Sequence, residues 1–362
     1  MVIDRTVDER WMARALFHAE RGAGRTSPNP MVGAIVVTQD GVVVGQGYHE
    51  RAGEAHAEVR ALESAGILAR GATLYCTLEP CAHLGRTGPC APRIVESGIA
   101  RVVASIEDPN PLVQGRGFAY LQEHGVDVCI GPGAGRSRAL NRAFFTLMRE
   151  GRPFVILKAA ISADGYISES PTRPTQLTSS VADRHSHMFR AAVDAIAVGV
   201  GTVLADDPLL TARGAFRERP LLRVLFDRSL RTPPDARVLS TAEAGPVIIV
   251  TSELASRSPR AKALVERGAE LLVTDGTVGE ALRILGARQV DSLLLEGGAA
   301  MHVAAWDAGV VDFVSLYVAP MCLRGGVPFL PDREFSSADL FEREVRTLGP
   351  DVLIEGYVHR LD

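Results

Sequence analysis

The sequence predicts an α/β protein of two domains, and three observations carry that prediction. The chain has 362 residues, more than one typical core at roughly 150 residues per domain. Short β-branched runs alternate with helical stretches along its length, the pattern of sheets layered against helices. Near the middle, Gly131-Pro132-Gly133-Ala134-Gly135 and Gly151-Arg152-Pro153 punctuate that pattern on either side of a helical stretch. The expected division is 1–150 and 151–362.

Taken in order, residues 7–20 place Met12, Ala15, Leu16 and Ala19 at helical spacing, and Gly22 and Gly24 stop the run. Ser27-Pro28-Asn29-Pro30 leads into strands at 31–37 and 42–44, joined as a hairpin through Gln39-Asp40-Gly41. A helix at 56–65 ended by Gly66, a strand at 72–78, a helix at 90–97 ended by Gly98, a strand at 102–105, a helix at 118–124 and a strand at 126–130 follow. A helix at 137–148 closes the first half. The second half has strands at 154–160, 195–198, 222–226, 247–250, 271–273, 292–295 and 313–318, interleaved with helices at 181–192, 258–267, 278–285 and 299–308.

Composition narrows the function classes. With 46% hydrophobic and 23% charged residues and a formal net charge of −4, the chain has no disorder signature and no basic field for nucleic acid. No stretch approaches the ~18 consecutive apolar residues of a membrane span. Met1-Val2-Ile3-Asp4-Arg5 lacks a signal peptide's apolar core, so a cytoplasmic protein with no membrane partner is expected. Five cysteines, Cys76, Cys81, Cys90, Cys129 and Cys322, are too few and odd in number for a disulfide framework and suit a metal site. Lys158, with Lys262 the only lysines, follows an apolar strand run, where an unpaired ammonium is costly. Asp164 and Glu296 are its candidate partners.

His56-Ala57-Glu58, then Pro80-Cys81 and Cys90, match the outline of a zinc nucleobase deaminase. A catalytic zinc takes three protein ligands and leaves a fourth position to water, and His56, Cys81 and Cys90 are such a set. Cys81 and Cys90 each read as opening a helix, where the dipole favours thiolate. Glu58 does not share a face with His56 inside a regular helix, so both reach one pocket only if the helix starts there. As an unligated carboxylate it would take a proton from water and return it to departing ammonia. The bland readings are a solvated first-turn glutamate and an ordinary histidine. Cys76 is a rival thiolate that alternation with Leu74 and Leu78 places in the core, and His83 is a weaker rival ligand. A closed structural zinc site is the non-catalytic alternative.

Eight residues separate Cys81 from Cys90, where the usual deaminase signature has two. Glu79-Pro80-Cys81-Ala82-His83-x-Gly85-Arg86-Thr87-x-Pro89-Cys90 closely resembles the bifunctional riboflavin-biosynthesis deaminase/reductase family. So do Asn29-Pro30-x-Val32-Gly33 and Asp108-Pro109-Asn110-Pro111-x-Val113-x-Gly115-x-Gly117. Lys158-x-Ala160-x-Ser162-x-Asp164-Gly165 and the run from Gly201 to Arg213 extend the resemblance over the whole chain. The resemblance implies a cytidine-deaminase-like three-layer domain that hydrolytically removes an amino group from a diaminopyrimidine bearing a phosphoribosylamino group. It further implies a dihydrofolate-reductase-like α/β domain that uses NADPH to reduce the opened ribose to ribityl. By that resemblance zinc sits on His56, Cys81 and Cys90, and Glu58 shuttles the proton. Asn29, His49 and the Asp108 to Pro111 turn would line the deaminase pocket, although Asn29 and Asp108 also read as turn formers before proline.

In the second domain, Leu293-Leu294-Leu295-Glu296-Gly297-Gly298 runs from an apolar strand into a helix, where small residues let backbone N–H groups approach a diphosphate. The resemblance assigns NADP contacts to Ala160, Thr202, Asp206, Gly298, Ala299, Ala300 and Met301, and substrate contacts to Arg190, Leu210, Arg213 and Glu296. Arginine suits the phosphate because its guanidinium fork pairs with phosphate oxygens bidentately. One stretch departs from the family. Where a Ser-x-Trp-Ile pattern is usual, this chain has Pro174-Thr175-Gln176-Leu177, so Pro174 and Gln176 receive no role. Two competing readings follow: a deaminase with a weak reductase-like scaffold, and a nucleic-acid-binding module with a structural zinc, against which the net charge counts. The expected partner is a small phosphorylated pyrimidine, with homo-oligomerisation left open.

Overall fold

The computed structural model describes residues 5–82 and 88–360, and the chain forms two compact units, Met1–Glu150 and Gly151–Asp362. In the first unit the elements are α1 (Arg5–Glu20), β1 (Gly33–Val37), β2 (Val43–Tyr48), α2 (Ala57–Ala65), β3 (Thr73–Cys76), α3 (Cys90–Glu96), β4 (Arg101–Ala104), α4 (Arg116–Glu123), β5 (Asp127–Ile130), α5 (Ala134–Leu140) and α6 (Arg142–Glu150). The sheet order is β2-β1-β3-β4-β5. β1 runs antiparallel to β2 and β3, and β3, β4 and β5 are parallel.

Helices cover both faces of this sheet, because alternate strand residues point to opposite sides. Ile35 and Val37 pack with Trp11, Met12 and Leu16 of α1. Ala34 and Val36 pack with Ala61 and Leu62 of α2, Ile94 of α3 and Leu121 of α4. The layers approach closely. A Cβ on Gly33 would lie 2.0 Å from the Ala15 carbonyl oxygen, and one on Gly45 would lie 2.2 Å from that of Ala61. Glycine at those positions seats α1 on β1 and α2 on β2.

The second unit contains β6 (Phe154–Ser162), β7 (Tyr166–Ser168), α7 (Ser180–Ala192), β8 (Ala195–Gly199), α8 (Val200–Asp206), β9 (Leu222–Phe226), β10 (Val247–Ser252), α9 (Glu253–Ser256), α10 (Pro259–Glu266), β11 (Ala269–Thr274), α11 (Val278–Ala287), β12 (Ser292–Leu295), α12 (Ala299–Asp307), β13 (Phe313–Ala319), β14 (Val327–Pro328), β15 (Phe341–Leu348) and β16 (Asp351–Tyr357). The large sheet has the order β11-β10-β9-β8-β12-β6-β13-β16-β15. Its strands run parallel from β11 to β13, and an antiparallel hairpin, β15–β16, completes it. The near-continuous Val, Ile, Leu and Ala of β6, β8 and β12 suit strands buried on both faces.

Several expectations need correction. The helix expected at 137–148 starts at Ala134 and breaks at Asn141. There the side chain turns away to accept from Met31 N (2.7 Å) and donate to Met31 O (2.9 Å). His56 is not the first helical residue but the N-cap of α2, with extended backbone (φ −69°, ψ 160°). Cys90 opens α3, whereas Cys81 lies in non-helical backbone after β3. The strands β7, β14, β15 and β16 and the short helices α8 and α9 were not expected.

Candidate active sites

In the first unit, β3 ends at Cys76, and the chain then carries Cys81 toward the starts of α2 and α3. His56, Cys81 and Cys90 converge so that one donor atom from each lies within 4.8 Å of the others. His56 Nδ1 is 3.5 Å from the Cys81 sulfur and 3.3 Å from the Cys90 sulfur. Tetrahedral zinc with Zn–S near 2.3 Å and Zn–N near 2.1 Å sets such atoms about 3.6 Å apart, so the cluster fits the ion in spacing and in donor chemistry. The Cys90 N–H, at the start of α3, also donates to the Cys81 sulfur at 3.4 Å.

Electrostatics points the same way. The Cys81 thiol is pulled down to about 4 by the Cys90 hydrogen bond and then by His56. His56 is raised to about 9, chiefly by its hydrogen bond to Cys81. Cys90 is pushed well up by its contact with the Cys81 sulfur and by burial. Cysteine binds a metal as thiolate and histidine as the neutral ring, so a cation seated among the three would take these donors in their deprotonated forms. Glu58, in the first turn of α2, is buried against Cys90 and stands outside the three-donor cluster. Burial raises its carboxyl to about 6.

Asn29 and His49 stand beside this centre. The His49 Nδ1 faces the Ala55 carbonyl oxygen at 3.2 Å and so carries the proton, which leaves Nε2 to accept from Asn29 Nδ2 at 3.1 Å. The His49 and His56 rings meet edge to face, 5.6 Å between centroids. Cys76 is in the core, its S–H directed at the Val103 carbonyl, and does not join the cluster. His83 lies outside the described residues.

In the second unit a cleft of about 540 Å³ opens at the carboxyl ends of β6, β8 and β12, the place where open α/β sheets bind ligands. Ala160, Thr202, Asp206 and the run Gly298 to Met301 line it, as do Arg190, Leu210 and Glu296. Gly297 admits no side chain, since a Cβ there would lie 2.8 Å from Met301 Cβ. Gly298 N donates to Thr202 Oγ1 at 3.0 Å, which fixes the entry to α12. Bare backbone at a helix N-terminus on a cleft wall fits the diphosphate of a dinucleotide.

Two charged groups of this cleft, Arg190 and Glu296, form an ion pair. Arg190 holds Glu296 with both arms, Nε to Oε1 at 2.9 Å and Nη2 to Oε2 at 2.5 Å, and donates from Nη1 to Thr211 O. Burial alone would raise the Glu296 carboxyl, but Arg190 and Lys158 hold it down at about 2. Lys158 Nζ lies 5.1 Å from the Tyr317 ring centroid. Burial lowers its pKa and the charge of Glu296 opposes that shift. Of its two candidate partners, Asp164 is otherwise engaged, accepting from Ser162 Oγ and from the N–H groups of Leu323 and Arg324. Arg213 does not line the cleft. It is exposed and meets the ring of His187 through its N–H and its guanidinium.

Comparison with known proteins joins these two sites in one family. The model of the cytidine and deoxycytidylate deaminase zinc-binding region matches residues 5–106, and that of the RibD C-terminal domain matches residues 153–354. The riboflavin biosynthesis protein RibD of Aquifex aeolicus is 38% identical, the alignment spanning 97% of this chain and 98% of that protein. The chain belongs to the RibD family. The RibD of Escherichia coli is 39% identical over 96% of this chain and 98% of its own length. Among solved structures, RibD of Acinetobacter baumannii superposes with a TM-score of 0.87 at 33% identity, covering 98% of this chain and 99% of that one. A Thermotoga maritima diaminohydroxyphosphoribosylaminopyrimidine deaminase/5-amino-6-(5-phosphoribosylamino)uracil reductase superposes with a TM-score of 0.84 at the same identity and coverage.

The cleft is also lined by residues that carry no role in the sequence motifs, and Arg213 stands outside its lining. Pro174 lines the cleft, while Gln176 turns to Thr178 O and Asp183. Arg173 and His302 also line it. His302 sits on the face of α12 that follows Gly298, and helical periodicity from that motif would have found it. No motif marks Arg173. No described helix is long and apolar enough to cross a membrane.

Proposed function

We propose that residues 1–150 form the deaminase and residues 151–362 the reductase of a bifunctional riboflavin-biosynthesis enzyme. The first would convert 2,5-diamino-6-(5-phosphoribosylamino)pyrimidin-4-one to 5-amino-6-(5-phosphoribosylamino)uracil. The second would reduce the ribosyl group of that product to ribityl with NADPH. The observation that carries the reading is the convergence of His56, Cys81 and Cys90 beside a buried carboxylate that is not one of the three donors.

In this reading His56, Cys81 and Cys90 hold zinc, which when bound supplies an acidified water and polarises the site. Glu58 would accept a proton from the attacking water and deliver it to the departing amino group; the ring carbon keeps the water oxygen as its oxo group, the second water proton passes to the ring nitrogen, and ammonia leaves. A carboxyl raised to about 6 is suited to both halves of that transfer near neutral pH. Asn29 and His49 orient the pyrimidine, their mutual hydrogen bond fixing which faces they present.

NADPH supplies the hydride in the second unit. Ala160, Thr202, Asp206 and Gly298 to Met301 hold it, and Leu210 and the Arg190–Glu296 pair shape the substrate end. Arg213, exposed and outside the cleft lining three residues beyond Leu210, would reach the phosphate end of a bound substrate. With a net charge of −4, the substrate is a free small molecule and not nucleic acid, and the enzyme works in the cytoplasm. The test is one assay on the phosphorylated diaminopyrimidine that follows ammonia release, NADPH oxidation and zinc content together. Ammonia without NADPH oxidation would leave the second unit as a scaffold.

A further inference from the structure

Glu79 lies two residues before Cys81, is buried, and has no part in the chemistry above. Its carboxylate gathers four main-chain N–H groups, two from the loop that holds Asp108 and Gly115 and two from the first turn of α4. Oε2 accepts from Asp108 N (3.2 Å) and Gly115 N (2.9 Å), and Oε1 from Gly117 N (2.8 Å) and Phe118 N (3.4 Å). The loop is shaped to deliver them. Gly115 has φ 77°, and Gly117 comes so close that a Cβ would lie 1.9 Å from Pro80 O. At the loop's near end, Asp108 Oδ1 accepts from Asn110 N at 2.8 Å. That bond uses one oxygen of a buried carboxyl group that lies within electrostatic reach of His56, Cys81 and Glu58.

We infer that Glu79 is a positioning residue for deamination: it ties the segment bearing Cys81 to the loop bearing Asp108, and so sets the Asp108 carboxyl against the zinc ligands. The inference rests on the deaminase reading of the first unit. Only an ionised carboxylate offers lone pairs to four donors and brings no hydrogen of its own. The motif Gly115-x-Gly117 acquires a purpose by the same geometry, which is to let two N–H groups and the Pro80 carbonyl share a space that no side chain leaves open.

The test is Glu79→Gln in the full-length chain. A carboxamide keeps one acceptor oxygen and sets an NH2 group against one pair of N–H donors, so either Asp108 and Gly115 or Gly117 and Phe118 lose their partner. Zinc content and the NADPH oxidation given by the deaminated product should match the unmodified enzyme. The kcat/KM for ammonia release should fall about 10- to 100-fold, the scale of a misplaced reacting group. In an Asp108→Asn background the same change should cost little more, because both act through one carboxyl. Losses that multiply in the double variant, an unchanged kcat/KM, or loss of zinc together with activity would each overturn the inference. If Glu79→Gln does not fold, Glu79→Asp, one methylene too short to reach both pairs, takes its place in the same cycle with the same outcomes. An unmodified enzyme that releases no ammonia would instead sink the deaminase reading, and this inference with it.

Discussion

His56 is the last non-helical residue before α2 and Glu58 the second residue inside it, and that offset lets an i, i+2 pair serve one centre. An extended N-cap points its side chain back toward the approaching cysteines, while the first turn directs the carboxylate to Cys90. Glu58→Gln is therefore expected to retain zinc, because the three donors are untouched, and to lose ammonia release about 10²- to 10⁴-fold, the usual worth of a positioned acid–base group. Metal analysis beside the ammonia assay checks it, and loss of zinc equal to that of His56→Ala would make Glu58 a ligand. This centre was legible in the sequence because each donor is chemically unusual and closely spaced. Arg190 and Glu296 were legible as site residues, but not their mutual pairing, which joins residues 106 positions apart.

At the scale of elements, what was readable follows from burial on both faces. Strands β6, β8, β12 and β13 are predominantly apolar and stand out from their surroundings. The hairpin β15–β16 does not, because β15 is an exposed edge strand whose sequence FEREVRTL carries charge on both faces. Its partner buries Glu355 against Ser315 and Arg346, which spoils the apolar alternation. The helix break at Asn141 was equally hidden, since its cause is a contact with Met31 far away in sequence. Glycines in β2 were legible only as weak strand formers, yet they set the distance from sheet to α2. Gly45→Ala would push a methyl group to 2.2 Å from the Ala61 carbonyl, and overpacking of that kind costs about 1–3 kcal/mol. Displacing α2 also moves His56, so the variant should lose thermal stability and zinc affinity together. Calorimetry with a competitive zinc titration reads both, and an unchanged zinc affinity would mean that the β2–α2 contact does not place the ligand.

The whole molecule divides its chemistry between two units, and the interior of the second carries an acid-sensitive group. The second unit buries His302 beneath the cleft, with Nδ1 donating to the Phe329 carbonyl at 3.3 Å and Nε2 without a partner among the described residues. Burial lowers its pKa from 6.5 to about 4, and the nearby Lys158 charge adds to the shift. The sign of the consequence follows from which state takes the proton first. Above pH 6.5 both folded and unfolded chains hold a neutral imidazole and nothing is lost. Between 6.5 and about 4 the unfolded chain is protonated and the folded one is not, so stability falls with pH by roughly 3 kcal/mol in all. Glu296, held at about 2 by Arg190 and Lys158, removes further stability as the pH drops below its ordinary 4.5. The chain's two tryptophans, Trp11 and Trp306, lie one in each unit, and Trp306 shares α12 with His302. In a Trp11→Phe background, the thermal midpoint followed by Trp306 fluorescence should fall steadily from pH 6.5 toward 4.5, and His302→Leu should flatten that slope. A slope that survives His302→Leu would place the acid-sensitive group elsewhere in the unit.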